Sequence, residues 1–168
     1  MFIASGIGAV VSHNATVAGA VGGCQAECGT AAAMAAAAAA SMAGGSNDTI
    51  LQAFALCLKN TLGLACDPVA GLVEVPCVKR NAVFAVEALA AAEMALAGIK
   101  SVIPPDEVIA AMAEIGRIYW PGLSIEKNVW MGARCGRNRK GHCCAAGKGD
   151  GSIKNAFREI RAMKKDCP

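Results

Sequence analysis

At 168 residues the chain is long enough for one domain with its own core. It is 55% hydrophobic but only 4% aromatic, and much of the apolar content is alanine, which packs helices closely and buries little area per residue. The net charge of +3 divides unevenly: residues 1–116 carry −5 and residues 117–168 carry +8, a break that marks a boundary near Arg117. The basic end has no DNA- or RNA-binding motif and little aromatic interleaving, so no nucleic-acid partner is expected. The opening MFIASGIGAVV lacks the basic region that precedes the apolar stretch of a secretory leader, so a cytoplasmic location is expected. In that setting nine cysteines point to metal binding or reactive thiols rather than to a disulfide framework.

Residues 1–26 and 28–47 contain no charge. Gly6, Gly8, His13, Asn14, Gly19, Gly22 and Gly23 interrupt the first stretch, and alanine supplies little insertion energy, so no membrane span is expected. Both stretches read instead as a buried, tightly packed layer of a soluble, all-helical protein. Thr30–Ala43 is an alanine-rich helix stopped by Gly44-Gly45. The run SNDT offers N-caps for a helix over Thr49–Leu62, with Ile50, Phe54, Leu58 and Leu62 about one turn apart and Gly63 as its stop. The loop GLACDPVAGLVEVPCVKRN (Gly63–Asn81) follows, with little local structural signal. Val78–Ala97 then reads as a long helix with Val83, Val86, Ala90, Met94 and Ala97 along one face, closed by Gly98. Pro104-Pro105-Asp106 opens a last helix through Val108, Met112 and Ile115 to Gly116. No β-alternation appears before residue 117.

Beyond Arg117 the periodicity collapses, and MGARCGRNRKGHCCAAGKGDG has neither period nor caps. The expected organisation is a helical domain over 1–118 and a divergent basic tail over 119–168 that packs poorly. Within the tail, Cys135, His142, Cys143 and Cys144 admit a small metal site as one reading.

The spacing C-x41-C-x10-C of Cys24, Cys66 and Cys77 matches no zinc-finger arithmetic, and three buried free cysteines would account for it equally well. Their contexts are shared, however. Cys24 follows Gly22-Gly23, Cys66 precedes Asp67-Pro68 and Cys77 follows Pro76, each at a backbone interruption near a helix start, where amides favour thiolates. Cys28 and Cys57 fall on helical patterns and read as core thiols, while Asp67 and Glu27 read as helix caps.

The stretches GGCQAE (Gly22–Glu27), GLACDPVAGLVEVPCVKRNA (Gly63–Ala82) and ALAGIKSVIPPDEV (Ala95–Val108) closely resemble the α chain, or α domain, of the iron–sulfur-dependent L-serine dehydratases. The resemblance covers roughly residues 3–118 and implies an all-helical fold, in agreement with the periodicity. It implies a 4Fe–4S cluster held by Cys24, Cys66 and Cys77, with one iron left open as a Lewis acid toward the hydroxyl of L-serine. It also implies deamination of L-serine to pyruvate and ammonia without pyridoxal phosphate, a β chain as partner and an oligomeric enzyme.

His13 is a weak candidate for the catalytic base, since histidines of the family's β chain fit that role better. Asn14, Thr16 and Arg80 are candidate substrate-binding residues. The motifs begin almost at Met1, so the N-terminal part of the α domain is expected to be missing. Two positions depart from the family pattern: Ala18 stands where serine is usual and Val21 where glutamate is usual. In the tail, the family's GGLAATPTGK-like run is absent. Back-translating Gly132–Cys143 and reading from the second base can give Gly-Leu-Ala-Ala-x-Glu-Thr-Gly-Lys-Ala-Ile-Ala, so a frameshift accounts for the divergence. Two other readings stay open: a truncated, non-catalytic relative, and a cysteine-rich metal-binding helical protein.

Overall fold

The computed structural model describes residues 1–66 and 74–119, which form six α-helices and a π-helical turn, with no strand among the described residues. In chain order these are α1 (Phe2–Asn14), α2 (Gly19–Gly22), the π turn (Gln25–Gly29), α3 (Thr30–Met42), α4 (Asn47–Asn60), α5 (Glu74–Leu96) and α6 (Pro105–Tyr119). The expected poorly packed tail, its cysteine–histidine group and Asp67 lie outside the described residues.

Helix α3 is the centre of the bundle, with α4 and α5 packed on it and on each other and α1 laid along its outer side. Ala32, Ala33, Ala36, Ala37 and Ala40 are all buried there, and their lack of bulk lets neighbouring helices approach closely. Both ends of α3 follow from its neighbours in sequence. Gly44, at φ +83°, lets the amide of Gly45 donate to the Ala40 carbonyl and that of Gly44 to the Ser41 carbonyl, which satisfies the last turn. Ser46 then caps α4 by accepting from the Thr49 amide at 3.2 Å. Ile50, Phe54 and Leu58 face the core as their spacing requires. Gly98 ends α5 in the way that Gly44 ends α3, with Ile99 donating to the Met94 carbonyl.

Four expectations change. Helix α1 is not a buried layer: Val11 alone is buried in it, Ile3 and Ile7 lean on the core, and Phe2 is exposed. Helix α5 begins at Glu74 rather than Val78, so Cys77 lies in its first turn rather than in the preceding loop. Pro76 is tolerated there because first-turn amides have no intrahelical acceptor. The inward face of α5 is Ala88, Ala91, Ala92 and Ala95, while Val83 and Val86 are 64% and 67% exposed. Lastly, α6 runs through Gly116, which serves contact rather than termination: a β-carbon there would lie 3.4 Å from the Gly22 α-carbon. No helix among the described residues is long and apolar enough to cross a membrane.

Candidate metal centre

Gly22, Gly23 and Cys24 link α2 to the π turn, and the backbone there has no room for side chains. A β-carbon on Gly22 would fall 2.6 Å from that of Ala26 and 2.7 Å from a Thr16 methyl. One on Gly23 would fall 2.7 Å from the Leu64 carbonyl oxygen, and φ is +79°. Both positions therefore require glycine. The Gln25 amide donates to that same Leu64 carbonyl, which joins the turn to the segment leading to Cys66. The Gln25 side chain is buried and fully used: Nε2 donates to the Met112 carbonyl at 3.2 Å, and Oε1 accepts from the Gly63 amide at 2.9 Å. Gln25 thus ties the π turn to α6 and to the end of α4. Sequence reading passed over it, although a glutamine beside a buried cysteine was a signal that the polar group must find partners.

This frame gathers the thiols. The sulfurs of Cys24, Cys28 and Cys77 lie within 4.8 Å of one another. Cys66 is not one of that close group, but it lies near enough to Cys24 and Cys77 for both to raise its pKa. Cys24 and Cys28 are buried, whereas Cys66 and Cys77 are half-buried. Cys28 does not behave as an isolated core thiol, because one π turn carries its sulfur back over Cys24. Cys57 is buried in α4 and is not part of this group.

Arg80, one turn into α5, points its guanidinium at the centre. Nη1 donates to Cys24 Sγ at 3.1 Å and to the Ala65 carbonyl at 3.2 Å. Burial, then the neighbouring Cys24 and Cys77, pushes the Cys66 thiol up to about 11. Burial likewise pushes Cys28 up to about 12, with Cys24, Cys77 and Glu27 adding to it. Cys77 is raised by burial, Cys24 and Glu27, and Arg80 alone opposes the rise. Glu27, expected as a cap, adds negative charge beside the thiols, and its carboxylate occupies the space that a side chain on Gly19 would need. Convergent thiols with one fixed cation, largely out of water, suit a soft or borderline metal.

A separate cleft of about 510 Å³ opens beside α2, lined by Asn14, Ala15, Thr16, Val21, Met112, Ala113, Gly116 and Arg117. Asn14 and Thr16 therefore share a cleft with each other but not with Arg80. Asn14 Nδ2 donates to the Val10 carbonyl at 2.8 Å, and Thr16 Oγ1 accepts from the Ala18 amide at 3.1 Å. His13 is exposed in the last turn of α1 and does not line the cleft. Arg117, which sequence reading did not single out, supplies the cleft with a cation.

Residues 1–127 match the family model described as serine dehydratase alpha chain. The chain is 60% identical over 116 residues to a probable L-serine dehydratase alpha chain of Latilactobacillus sakei, covering 69% of this chain and 56% of that one. It is 62% identical over 117 residues to a probable L-serine dehydratase alpha chain of Bacillus subtilis, covering 70% of this chain and 39% of that one. Identity to the L-serine dehydratase alpha chain of Peptoniphilus asaccharolyticus is 54% over 111 residues, covering 66% and 38%. The chain thus spans between about two fifths and somewhat over half the length of these relatives. A match running through every described helix and all three cysteine-bearing motifs places the chain in the serine dehydratase alpha chain family.

Proposed function

We propose that this chain carries the metal centre of an L-serine dehydratase, in which Cys24, Cys66 and Cys77 hold a 4Fe–4S cluster. The observation that supports it is that Cys77 meets the distant Cys24 beneath one guanidinium, with Cys66 near enough for both to raise its pKa. The donor set fits such a group in kind: thiols at short range, two of them half-open for entry, and a cation to offset thiolate charge. When bound, the cluster supplies a Lewis acid with an open coordination position, which weakens the bond to serine's hydroxyl.

The chain's own residues do the rest of their share by holding and orienting. Arg80 donates to the Cys24 sulfur and pins the Ala65 backbone next to Cys66. On this reading its expected role in binding substrate passes to Arg117, which with Asn14 and Thr16 presents one cation and two polar groups to the cleft. These match the carboxylate and ammonium of an amino acid. The cleft lining includes no group able to take the α-proton at neutral pH. A general base must then come from beyond this lining, and a β chain is the proposed source.

The test is anaerobic reconstitution with iron and sulfide, followed by a serine deamination assay with and without a family β chain. The expected result is a broad visible absorbance lost in Cys66→Ala, and pyruvate formed only when the β chain is present. Oxygen should abolish that activity. A second reading, a cluster-binding but non-catalytic relative, is favoured by Val21. This apolar residue lines the cleft where the family pattern has a glutamate. Absorbance without turnover in the reconstituted pair is its signature.

A further inference from the structure

We infer that a second copy of this chain packs on the outward face of α5, the two helices lying antiparallel about a two-fold axis at Val86. The inward face of this helix, formed by Ala88, Ala91, Ala92 and Ala95, is buried in the bundle. Half a turn round lie Ala82, Val83, Val86, Leu89 and Ala90, all of them exposed. Val83, Val86 and Leu89 are 64%, 67% and 61% exposed, and Val78 at their edge is 63% exposed. Apolar residues at successive turns of one helix face make a continuous strip, unlike the single exposed valines and leucines of an ordinary surface. Covering such a strip with a second apolar surface removes it from water.

The pattern of the strip points to the occupant. Lys79 and Glu93 carry its charge, and each lies seven residues from Val86, on the same face of the helix. Turned end for end about Val86, the strip is complementary to itself. Lys79 of each copy meets Glu93 of the other, Val83 faces Leu89, and Ala82 faces Ala90. A parallel pairing would instead set Lys79 on Lys79 and Glu93 on Glu93. An isologous interface needs this self-complementarity, because every residue pair recurs across the axis. The small Ala82 and Ala90 let the backbones approach, and a crossing near 20° keeps the helices in contact over the roughly 10 Å between Val86 and each charge. With 23 residues, α5 is about 34 Å long. A strip of that length buries roughly 500–600 Å² on each copy, so the pair reaches the lower edge of the range for specific interfaces. The expected dimer is therefore a weak one, with a dissociation constant in the micromolar range. No residue of the metal centre or of the cleft takes part, so dimerisation can be tested apart from activity.

The experiment is sedimentation equilibrium of the full chain from about 1 to about 100 µM, in anaerobic reducing buffer so that disulfide links cannot imitate association. The wild-type chain should pass from monomer toward dimer across that range and go no further, because a two-fold interface closes on itself. Val86→Glu puts two carboxylates on the axis and should raise the dissociation constant about tenfold or more. Its helical circular dichroism should stay unchanged, since position 86 is exposed. Glu93→Lys and Lys79→Glu each bring like charges together and should weaken the dimer about three- to tenfold. The double variant carrying both changes restores opposite charges and should return to within about threefold of wild type. Neither a parallel pairing nor a dimer through another face gives that rescue. A chain that is still monomeric at the highest concentration overturns the inference, as does a dimer untouched by Val86→Glu or a double variant no better than the single ones. If Val86→Glu fails to fold, the charge exchange decides the matter. A family β chain that displaces the dimer and binds wild type but not Val86→Glu also overturns it, since the strip would then belong to a different partner.

Discussion

Cys24 and Cys28 hang from a turn that is buried except at Glu27 and tied at both ends, whereas Cys66 and Cys77 are themselves half-buried. The buried pair is fixed by glycines that admit no side chain and by Gln25, which spends both ends of its amide on backbone partners. The open pair is steered mainly by charge, through Arg80 on Cys24 and on the Ala65 carbonyl. A centre built this way has one rigid jaw and one adaptable jaw. The rigid jaw sets where metal binds, and the adaptable one is the side from which it enters.

The strongest way to break this comparison is Gly23→Ala. Left-handed backbone costs about 1–2 kcal/mol for a residue with a β-carbon, and crowding against a fixed carbonyl adds about 1–3 kcal/mol. A loss of about 3 kcal/mol in anaerobic urea unfolding is expected, with metal uptake abolished. Gly63→Ala is the control: φ is +83° but nothing lies within 4 Å of the new β-carbon, so only the backbone cost applies. Equal losses in the two variants would mean that the contact with Leu64 does not hold the rigid jaw.

Next in size is Gln25→Leu, which keeps the bulk but leaves the Met112 carbonyl and the Gly63 amide without their partner. A buried unsatisfied polar group costs about 1–3 kcal/mol, so about 2 kcal/mol is expected. Hydrogen exchange at the Gly63 amide should accelerate, a readout that mere loss of packing elsewhere would not produce. Unchanged protection at Gly63 would show that the amide has another acceptor.

Legibility in the sequence followed the same divide between fixed pattern and tertiary context. Helix α4 was readable because Ile50, Phe54 and Leu58 are large and spaced by one turn, and its cap and stop are local. The face of α5 was not, because the valines that carry its apparent period are exposed while small alanines meet α3. Close helix approach selects size rather than hydrophobicity, and a period counted on bulky residues points the wrong way. The cysteine motifs led to Cys24, Cys66 and Cys77; the structure puts Cys24 and Cys77 in one close group with Cys28, and leaves Cys66 beside that group rather than in it. Cys28 was missed because helical numbering assigned it to the core, and nothing in the residues announces a π turn. Arg80 was singled out as a cation worth noting, but the guanidinium's position on Cys24 is set by how α5 meets the π turn, a long-range contact.

Arg80→Gln addresses the adaptable jaw and should cost less than 1 kcal/mol in the metal-free chain, since a half-exposed pair contributes little. Its effect should appear in reactivity instead. Arg80 is the one group that lowers the Cys77 pKa, so its removal raises that pKa further and reduces the thiolate present near pH 8. Alkylation of Cys77 should slow several-fold. Faster alkylation would mean that Arg80 acts as a steric cover rather than as a counter-charge.

The smallest effect expected lies outside the centre altogether, at Cys57. Burial, and secondarily the Glu87 carboxylate, pushes its thiol from 9.0 up to about 12. A pKa raised on folding favours the protonated native state. The corresponding stability is fully present below pH 9 and is lost as pH rises through about 12. In the metal-free chain Cys28 and Cys66 contribute loss in the same direction, with values of about 12 and about 11. Loading the centre with metal removes the contribution of each thiol that ligates it, because metal-bound sulfurs are already deprotonated. Unfolding measured from pH 8 to pH 11 should therefore show a steep alkaline decline without metal and a shallower one with the metal centre loaded. The thiol-dependent part of the remaining slope should disappear in Cys57→Ala, even though that variant starts slightly less stable at pH 7 from its small cavity. A metal-loaded chain whose alkaline decline is as steep as the metal-free one would show that these thiols titrate freely, and so that they are not the ligands.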